Sequence, residues 1–166
     1  MGKDVLFVKD KIIKFDSLAI QSIKQQAALN FSGKMRYCFH ENEEAEMQEM
    51  LFVVPRTGYA RPHMHKDVAE SHVIIDGEGY CIVFNDFGDI QDYFRVSPQH
   101  NFLYRISRKM WHMVVPISEQ LVIYEIREGK FNNDTNIFPE WAPEENEKEK
   151  VKQYKQNLLA QIGETT

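Results

Sequence analysis

The chain has 166 residues, of which 43% are hydrophobic and 12% aromatic, and its formal net charge is −5 at pH 7. This composition excludes a disordered chain, which combines low hydrophobicity with high net charge. It also argues against a nucleic-acid partner, because such proteins concentrate Lys and Arg in a basic stripe. No apolar stretch approaches the roughly 20 residues that cross a bilayer, so we expect no membrane partner.

The first 28 residues predict an N-terminal arm followed by a helix. The apolar pieces at residues 5–8 and 12–15 are typical of edge strands. Asp16 is a suitable helix cap, and apolar residues at helical spacing follow it, so residues 16–27 are predicted to form about three helical turns.

The N-terminus and the cysteines give an expectation about location. The first residues place Lys3 and Asp4 before a short apolar piece, which does not resemble a signal peptide. Cys38 and Cys81 are too few for a disulfide framework. We therefore expect two reduced thiols and a cytoplasmic protein.

Between residues 47 and 127 short apolar segments alternate with turn residues, a pattern typical of an all-β sandwich or barrel. The Asp76-Gly77 pair predicts a hairpin between the third and fourth strands. Eight strands suit a double-sheet jelly roll. The predicted strands cover residues 47–54, 61–65, 70–75, 79–85, 90–96, 101–106, 112–116 and 120–127.

Residues 144–166 are charged and helix-favouring, with one apolar stripe, and predict a C-terminal helix. The stripe packs either on the chain's own barrel or on that of a second copy, and the usual burial of an apolar helix face favours the first. We expect one domain over residues 1–166, with an arm and helix at 1–28, a β-barrel at 29–143 and a helix at 144–166.

A set of histidines and one glutamate predicts a metal site. His63 and His65 are two residues apart, so on a strand they point to the same side. Glu70 and His112 supply a carboxylate and a third imidazole. Such a set suits one divalent transition metal, Zn, Fe, Mn, Ni or Co, with coordination positions left open for water or substrate.

These residues also carry a resemblance to the cupin superfamily. The spacing His63-x-His65-x4-Glu70-x6-Gly77 resembles the first cupin motif. Residues 107–112 resemble the second motif, in which His112 is kept but the usual Pro and Gly are replaced. Within the cupins, residues 29–145 are similar to WbuC-type cupin-fold metalloproteins. The resemblance implies a double-stranded β-helix (jelly-roll) barrel, the four metal ligands named above, and a link to bacterial surface-polysaccharide biosynthesis.

Four further residues are candidates for the reaction site. Glu125 in the last strand suits a general base, and Tyr104 an acid or hydrogen-bond donor. Arg61 precedes His63 by two residues and is a candidate for binding an anionic or hydroxylated substrate, although a salt bridge at the rim fits it equally well. His72 follows Glu70 by two residues, so lining the site or hydrogen bonding to a ligand is its expected role.

Two classes of function fit this sequence. One is a metal-dependent enzyme acting on a small polar molecule, such as a sugar or sugar nucleotide, by isomerisation, epimerisation or hydrolysis. The other is a non-catalytic module that binds a carbohydrate or metabolite. An Fe(II)-dependent dioxygenase and a purely structural metal clamp stay open as alternatives. We expect a homodimer, because the N-terminal apolar pieces could cover a sheet edge.

Overall fold

Two β-sheets face each other across a shared core in the computed structural model, which describes residues 4–131 and 136–164. One sheet has six strands in the order β1-β2-β3-β10-β5-β8, and the other has three in the order β7-β6-β9. A two-stranded piece, β11-β4, lies beside them. The elements are β1 Val5–Phe7, α1 Ser17–Leu29, β2 Met35–Cys38, β3 Met47–Pro55, β4 Met64–His65, β5 Glu70–Asp76, β6 Gly79–Phe84, β7 Ile90–Val96, β8 Leu103–Ile106, β9 Trp111–Pro116, β10 Gln120–Glu128, β11 Asn136–Ile137 and α2 Lys148–Gln161.

The prediction of a mostly β chain with one helix near each end is confirmed. Strand pairing within the described ranges gives three separate sheets, so the closed barrel stays a prediction. The two-stranded piece is tied to β9 by a bridge between His63 and His112.

The predicted hairpin at Asp76-Gly77 is wrong. The strand before it, β5, pairs with β10 and β8 in the larger sheet, whereas the strand after it, β6, pairs with β7 and β9 in the smaller one. Gly77 has φ of 84°, and a Cβ there would clash with the carbonyl oxygen of Gln120. The sequence signal for a positive φ was therefore correct, but the turn carries the chain across from one sheet to the other.

Two predicted strands are shorter or absent. The segment expected at residues 61–65 is a strand only at Met64–His65, and Pro62 before it has no N–H to donate to a ladder. Residues 12–15 form no strand. Phe15 instead packs against the rings of Tyr37 and Phe39 beside α1.

Both helices pack on this chain's own sheets. The N-terminal helix begins after Asp16, whose carboxylate accepts a hydrogen bond of 2.9 Å from the backbone N–H of Ala19, as a capping residue does. The C-terminal helix begins at Lys148, four residues later than predicted. Its apolar stripe joins the core of the smaller sheet with Ile82 and Met113, which confirms packing on the chain's own fold.

The space between the sheets is apolar at one end. Ile74, Leu121 and Ile123 of the larger sheet meet Cys81 and Val96 of the smaller one there, all at most 3% exposed. Cys81 and Cys38 are free, as predicted, and both are buried. The other end of this space holds the polar residues described next.

Candidate metal centre

The inner face of the larger sheet brings five polar side chains together. On β5, Glu70 and His72 are two residues apart and so point to the same side. On β10, Arg127 lies opposite Glu70, and Glu125 lies opposite His72. On β8, Tyr104 lies opposite His72. Strand register therefore assembles a polar group from three segments that are distant in sequence.

The two motif segments meet through backbone hydrogen bonds. The N–H of His63 donates to the carbonyl of His112 at 3.0 Å, and the N–H of His112 donates back to the carbonyl of His63 at 2.9 Å. The carbonyl of His65 accepts a bond of 2.7 Å from the N–H of Lys109. These bonds hold the rings of His63 and His112 with centroids 4.4 Å apart.

The four predicted ligands converge. One ligand atom each from His63, His65, Glu70 and His112 lies within 4.8 Å of the others. The two carboxylate oxygens of Glu70 lie 2.7 Å from Nε2 of His112 and 3.0 Å from Nε2 of His65. Glu70, His65 and His112 are at most 4% exposed. The cluster is therefore able to hold a metal ion.

Backbone carbonyls fix which ring nitrogen faces the cluster. Nδ1 of His63 lies 3.0 Å from the carbonyl of Arg61, and Nδ1 of His112 lies 2.9 Å from that of Met110. A carbonyl only accepts, so each Nδ1 carries the hydrogen and each Nε2 keeps a lone pair. Donation of one ring N–H to a backbone carbonyl is the usual arrangement of metal-binding histidines.

The buried carboxylate calls for a positive charge. Nε2 of His112 is buried and finds no hydrogen-bond partner within the described residues, because its short contact with Glu70 lacks hydrogen-bond geometry. A lone pair facing a carboxylate is repelled unless a proton or a metal cation lies between them. A divalent cation satisfies both groups at once, so the donor set fits the predicted metal.

The directions of the pKa shifts of His63, His112 and Glu70 agree with a site for a cation. Loss of hydration, reinforced by the neighbouring His112, lowers the pKa of His63 to about 3, which keeps its imidazole neutral. Burial opposes charge on His112 and on Glu70. Their mutual attraction nevertheless raises the pKa of His112, and the imidazoles of His72 and His112 hold the pKa of Glu70 well below its usual range. Glu70 is therefore an ionised carboxylate in this site.

A second polar group adjoins the first. Nδ1 of His72 lies 2.8 Å from the hydroxyl of Tyr104, and its Nε2 lies 3.6 Å from Glu70 and 3.7 Å from Glu125. Burial raises the pKa of Tyr104 well above its usual value, so its hydroxyl keeps the proton. Tyr104 therefore donates to Nδ1 of His72, and the hydrogen of that ring is on Nε2, toward the two carboxylates.

Both groups border one cavity of about 330 Å³ between the larger sheet and the 60–65 segment. The four candidate ligands, His72 and Glu125 line it. Tyr104 is not among the described lining residues and reaches the cavity only through His72. The volume lies at the small end of the range for ligand sites.

Arg61, the predicted substrate-binding arginine, lines this cavity but already has backbone partners. Its guanidinium donates to the carbonyls of Pro139 at 2.7 Å and Ala142 at 3.1 Å. It also lies over the ring of Phe138, with 5.4 Å between Cζ and the centroid. These contacts tie the 138–142 segment to the segment that carries His63. The arginine therefore positions the wall of the cavity.

Sequence reasoning missed several residues at the cavity. His40 is 8% exposed, its Nδ1 approaches the backbone of Glu49, and it lines the cavity. Arg36 and Arg127 also line it. No motif marks these positions, and only the register of β2 and β10 against their neighbours could have found them.

Comparisons with known proteins give a partial match. The family model described as "Domain of unknown function (DUF6016)" matches residues 15–96, just under half of the chain. No curated protein matches. Among the described residues, no helix is long and apolar enough to cross a lipid bilayer.

Several solved structures are similar at low identity. Oxalate decarboxylase of Bacillus subtilis is 21% identical, with a TM-score of 0.46 over 56% of this chain and 24% of that one. Oxalate decarboxylase of Lactobacillus farciminis, in a formate complex, is 17% identical, with a TM-score of 0.46 over 56% and 26%. Procruciferin, an 11S globulin of Brassica napus, is 20% identical, with a TM-score of 0.43 over 51% and 21%. The chain thus spans about a quarter of these proteins' lengths. Likenesses this weak do not define an activity, which has to be inferred from the side chains of the site.

Proposed function

We propose that this protein is a metal-dependent cupin enzyme that moves a proton on a small polar molecule, as isomerases and epimerases do. One observation carries this proposal. Four candidate metal ligands line the same small cavity as Glu125, whose carboxylate accepts no hydrogen bond from the described residues. Metal, base and room for a substrate are the parts that such a reaction needs.

His63, His65, Glu70 and His112 are the residues that would hold the ion. Three neutral imidazoles and one carboxylate suit Zn, Fe, Mn, Ni or Co, and geometry and availability select among these metals in the cell. When bound, a divalent ion polarises a carbonyl or hydroxyl and so acidifies a neighbouring C–H or O–H. A set of four protein ligands leaves room for such a substrate group where the ion accepts five or six ligands.

Glu125 is the proposed general base. It lines the cavity, and we find no hydrogen bond to its carboxylate within residues 4–131 and 136–164. The Nε2–H of His72 lies 3.7 Å from it. A carboxylate with free lone pairs beside a substrate accepts a proton readily, since geometry is the first requirement for a base.

His72 and Tyr104 support the proposed base, Glu125, without acting as the base themselves. The hydroxyl of Tyr104 fixes the tautomer of His72, and the ring then presents its Nε2–H between Glu70 and Glu125. An N–H in this position reduces the electrostatic repulsion between the two carboxylates. Tyr104 is thus a positioning residue in this proposal, and His72 borders both the ion site and the base.

The finer family assignment is part of the same proposal. The His63-x-His65-x4-Glu70 spacing and the sequence similarity over residues 29–145 support a WbuC-type cupin, and with it a role in surface-polysaccharide biosynthesis and a sugar-derived substrate. The convergence of His112 with the first motif supports the cupin arrangement, because the two motifs are far apart in sequence.

Solvent exchange tests the reaction class. Metal-loaded protein is incubated with sugars and sugar nucleotides in deuterated water, and ¹H NMR follows the loss of carbon-bound protons. We expect exchange with the wild type and with His100→Gln, an exposed control, and none with Glu125→Gln of equal metal content. Binding without exchange would favour a binding module, and oxygen uptake with Fe(II) would favour a dioxygenase. Either result would overturn the proposal.

A further inference from the structure

A buried cation borders the cavity with no anionic partner among residues 4–131 and 136–164. Arg127 is 5% exposed, and its Nε is buried without a hydrogen-bond partner among the described residues. Its contacts there are one long bond of 3.4 Å to Oδ1 of Asn136 and the ring of Phe131, 5.5 Å from Cζ. No carboxylate of residues 4–131 or 136–164 lies within salt-bridge distance of it. A buried guanidinium left in this state is expensive, so an anion is expected beside it.

The position of Arg127 ties it to the metal cluster on two sides. It lies directly opposite Glu70 in the β10–β5 ladder. Its hydrogen-bond partner Asn136 lies opposite His65 in the β11–β4 pair. An anion held by Arg127 would therefore sit next to two of the proposed ligands and inside the same cavity.

The charge of the cavity also favours an anionic ligand. Among the described residues, its lining holds four lysines or arginines and four glutamates, so their formal charges balance without a metal. A divalent ion adds two positive charges, which an anionic ligand would offset. The pocket thus becomes an anion site when the metal is bound.

The chemistry of the anion follows from the arginine. A guanidinium presents its N–H groups in one plane, which matches the two oxygens of a carboxylate. The guanidinium lies over the ring of Phe131, and the cavity has a volume of about 330 Å³. Both suit a small organic group attached to that carboxylate. We infer that the site takes a small carboxylic acid, held through its carboxylate by Arg127 beside the metal cluster. This inference rests on the proposed function and narrows its substrate class.

Paired probes test the inference by titration calorimetry on metal-saturated protein. The probes are malonate and glucuronate, each compared with its neutral amide, malonamide and glucuronamide. We expect saturable binding of at least one acid and binding of its amide at least about tenfold weaker, because the amide cannot form the charge-assisted pair. Equal affinity for acid and amide, or no binding of either acid, would contradict the inference. Tighter binding of inorganic phosphate than of both acids would contradict the choice of a carboxylate.

Variants locate the binding to Arg127. Arg127→Met is expected to weaken the acid about ten- to a hundredfold, the usual range for a lost hydrogen bond to a charged group. Arg127→Lys keeps the charge, removes the planar fork and should give a smaller loss, and it stands in if the Met variant does not fold. Arg105→Met, an exposed control, should leave affinity unchanged. Unchanged affinity in both Arg127 variants would overturn the assignment.

Two more measurements separate the possible failures. Asp134 lies outside the described residues, so Asp134→Asn is included. The affinity of this variant for the acid should equal that of the wild type. A higher affinity would show that Asp134 already neutralises Arg127, contrary to the inference. Metal content is measured on every sample. Protein without metal contradicts the proposed function, whereas metal-loaded protein that binds neither acid contradicts only the carboxylate inference.

Discussion

The two ends of the space between the sheets differ within a few residues. Along β5 the inner face runs from Glu70 through His72 to Ile74, and along β10 it runs from Glu125 to Ile123. The apolar end packs against the smaller sheet and stabilises the fold. The polar end buries a carboxylate and imidazoles, which lowers stability unless a cation is bound. Stability and chemistry therefore reside at opposite ends of the same strands, and substitutions at the two ends should have separable effects.

The largest expected effect is loss of metal at the polar end. His112→Ala removes a buried ligand, so we expect metal affinity to fall by more than about a hundredfold, beyond the effect usual for residues that only support a ligand. Metal analysis after dialysis and competition with a chromogenic chelator measure it. His100→Ala, at an exposed histidine, is the matched control. Wild-type metal content in His112→Ala would show that this imidazole is not a ligand.

The corresponding change at the apolar end should affect stability alone. Leu121→Ala leaves a void beside Ile74 and Ile123, so the free energy of unfolding should fall by about 2–4 kcal/mol. Urea denaturation measures this change. Metal content of the folded variant should equal that of the wild type. A coupled loss of metal would mean that the two ends are not independent.

The turn that joins the two sheets should be the next most sensitive position. Gly77→Ala places a Cβ at a positive φ and against the carbonyl of Gln120, so we expect a loss of about 2 kcal/mol. Thermal or urea unfolding checks this value. Gly163→Ala is a suitable control, because it also has a positive φ but no atom within 4 Å of the added Cβ. Equal losses in the two variants would show that the contact with Gln120 is unimportant.

The smallest effect should come from the hydrogen bond behind the proposed base. Tyr104→Phe removes the hydroxyl that bonds Nδ1 of His72, which should lower the unfolding free energy by about 1 kcal/mol. Metal content should not change. The ring of His72 can then carry its hydrogen on either nitrogen. The rate of solvent exchange catalysed by Glu125 should therefore fall, and the pH profile of that rate should shift. An unchanged profile would remove His72 and Tyr104 from the mechanism.

The convergence of the four candidate ligands is the part of the site that sequence predicts best, and local geometry explains why. Alternation along a strand already places His63 and His65 on one side, and the motif spacing brings Glu70 and His112 into the set. The direction of β6 after Gly77 was not predictable in this way, because a positive φ specifies a turn but not the partner of the next strand. Arg127 carries no local signal either. Its importance follows from the pairing of β10 with β5, a contact between segments about 50 residues apart.

Crystals of the protein grown with Mn(II) or Co(II) test the central claim most directly, by anomalous diffraction at the metal edge. We predict one strong anomalous peak per chain, bound by Nε2 of His63 and His112, a ring nitrogen of His65 and a carboxylate oxygen of Glu70. A peak elsewhere on the molecule, or no peak between these four side chains at saturating metal, would contradict the account.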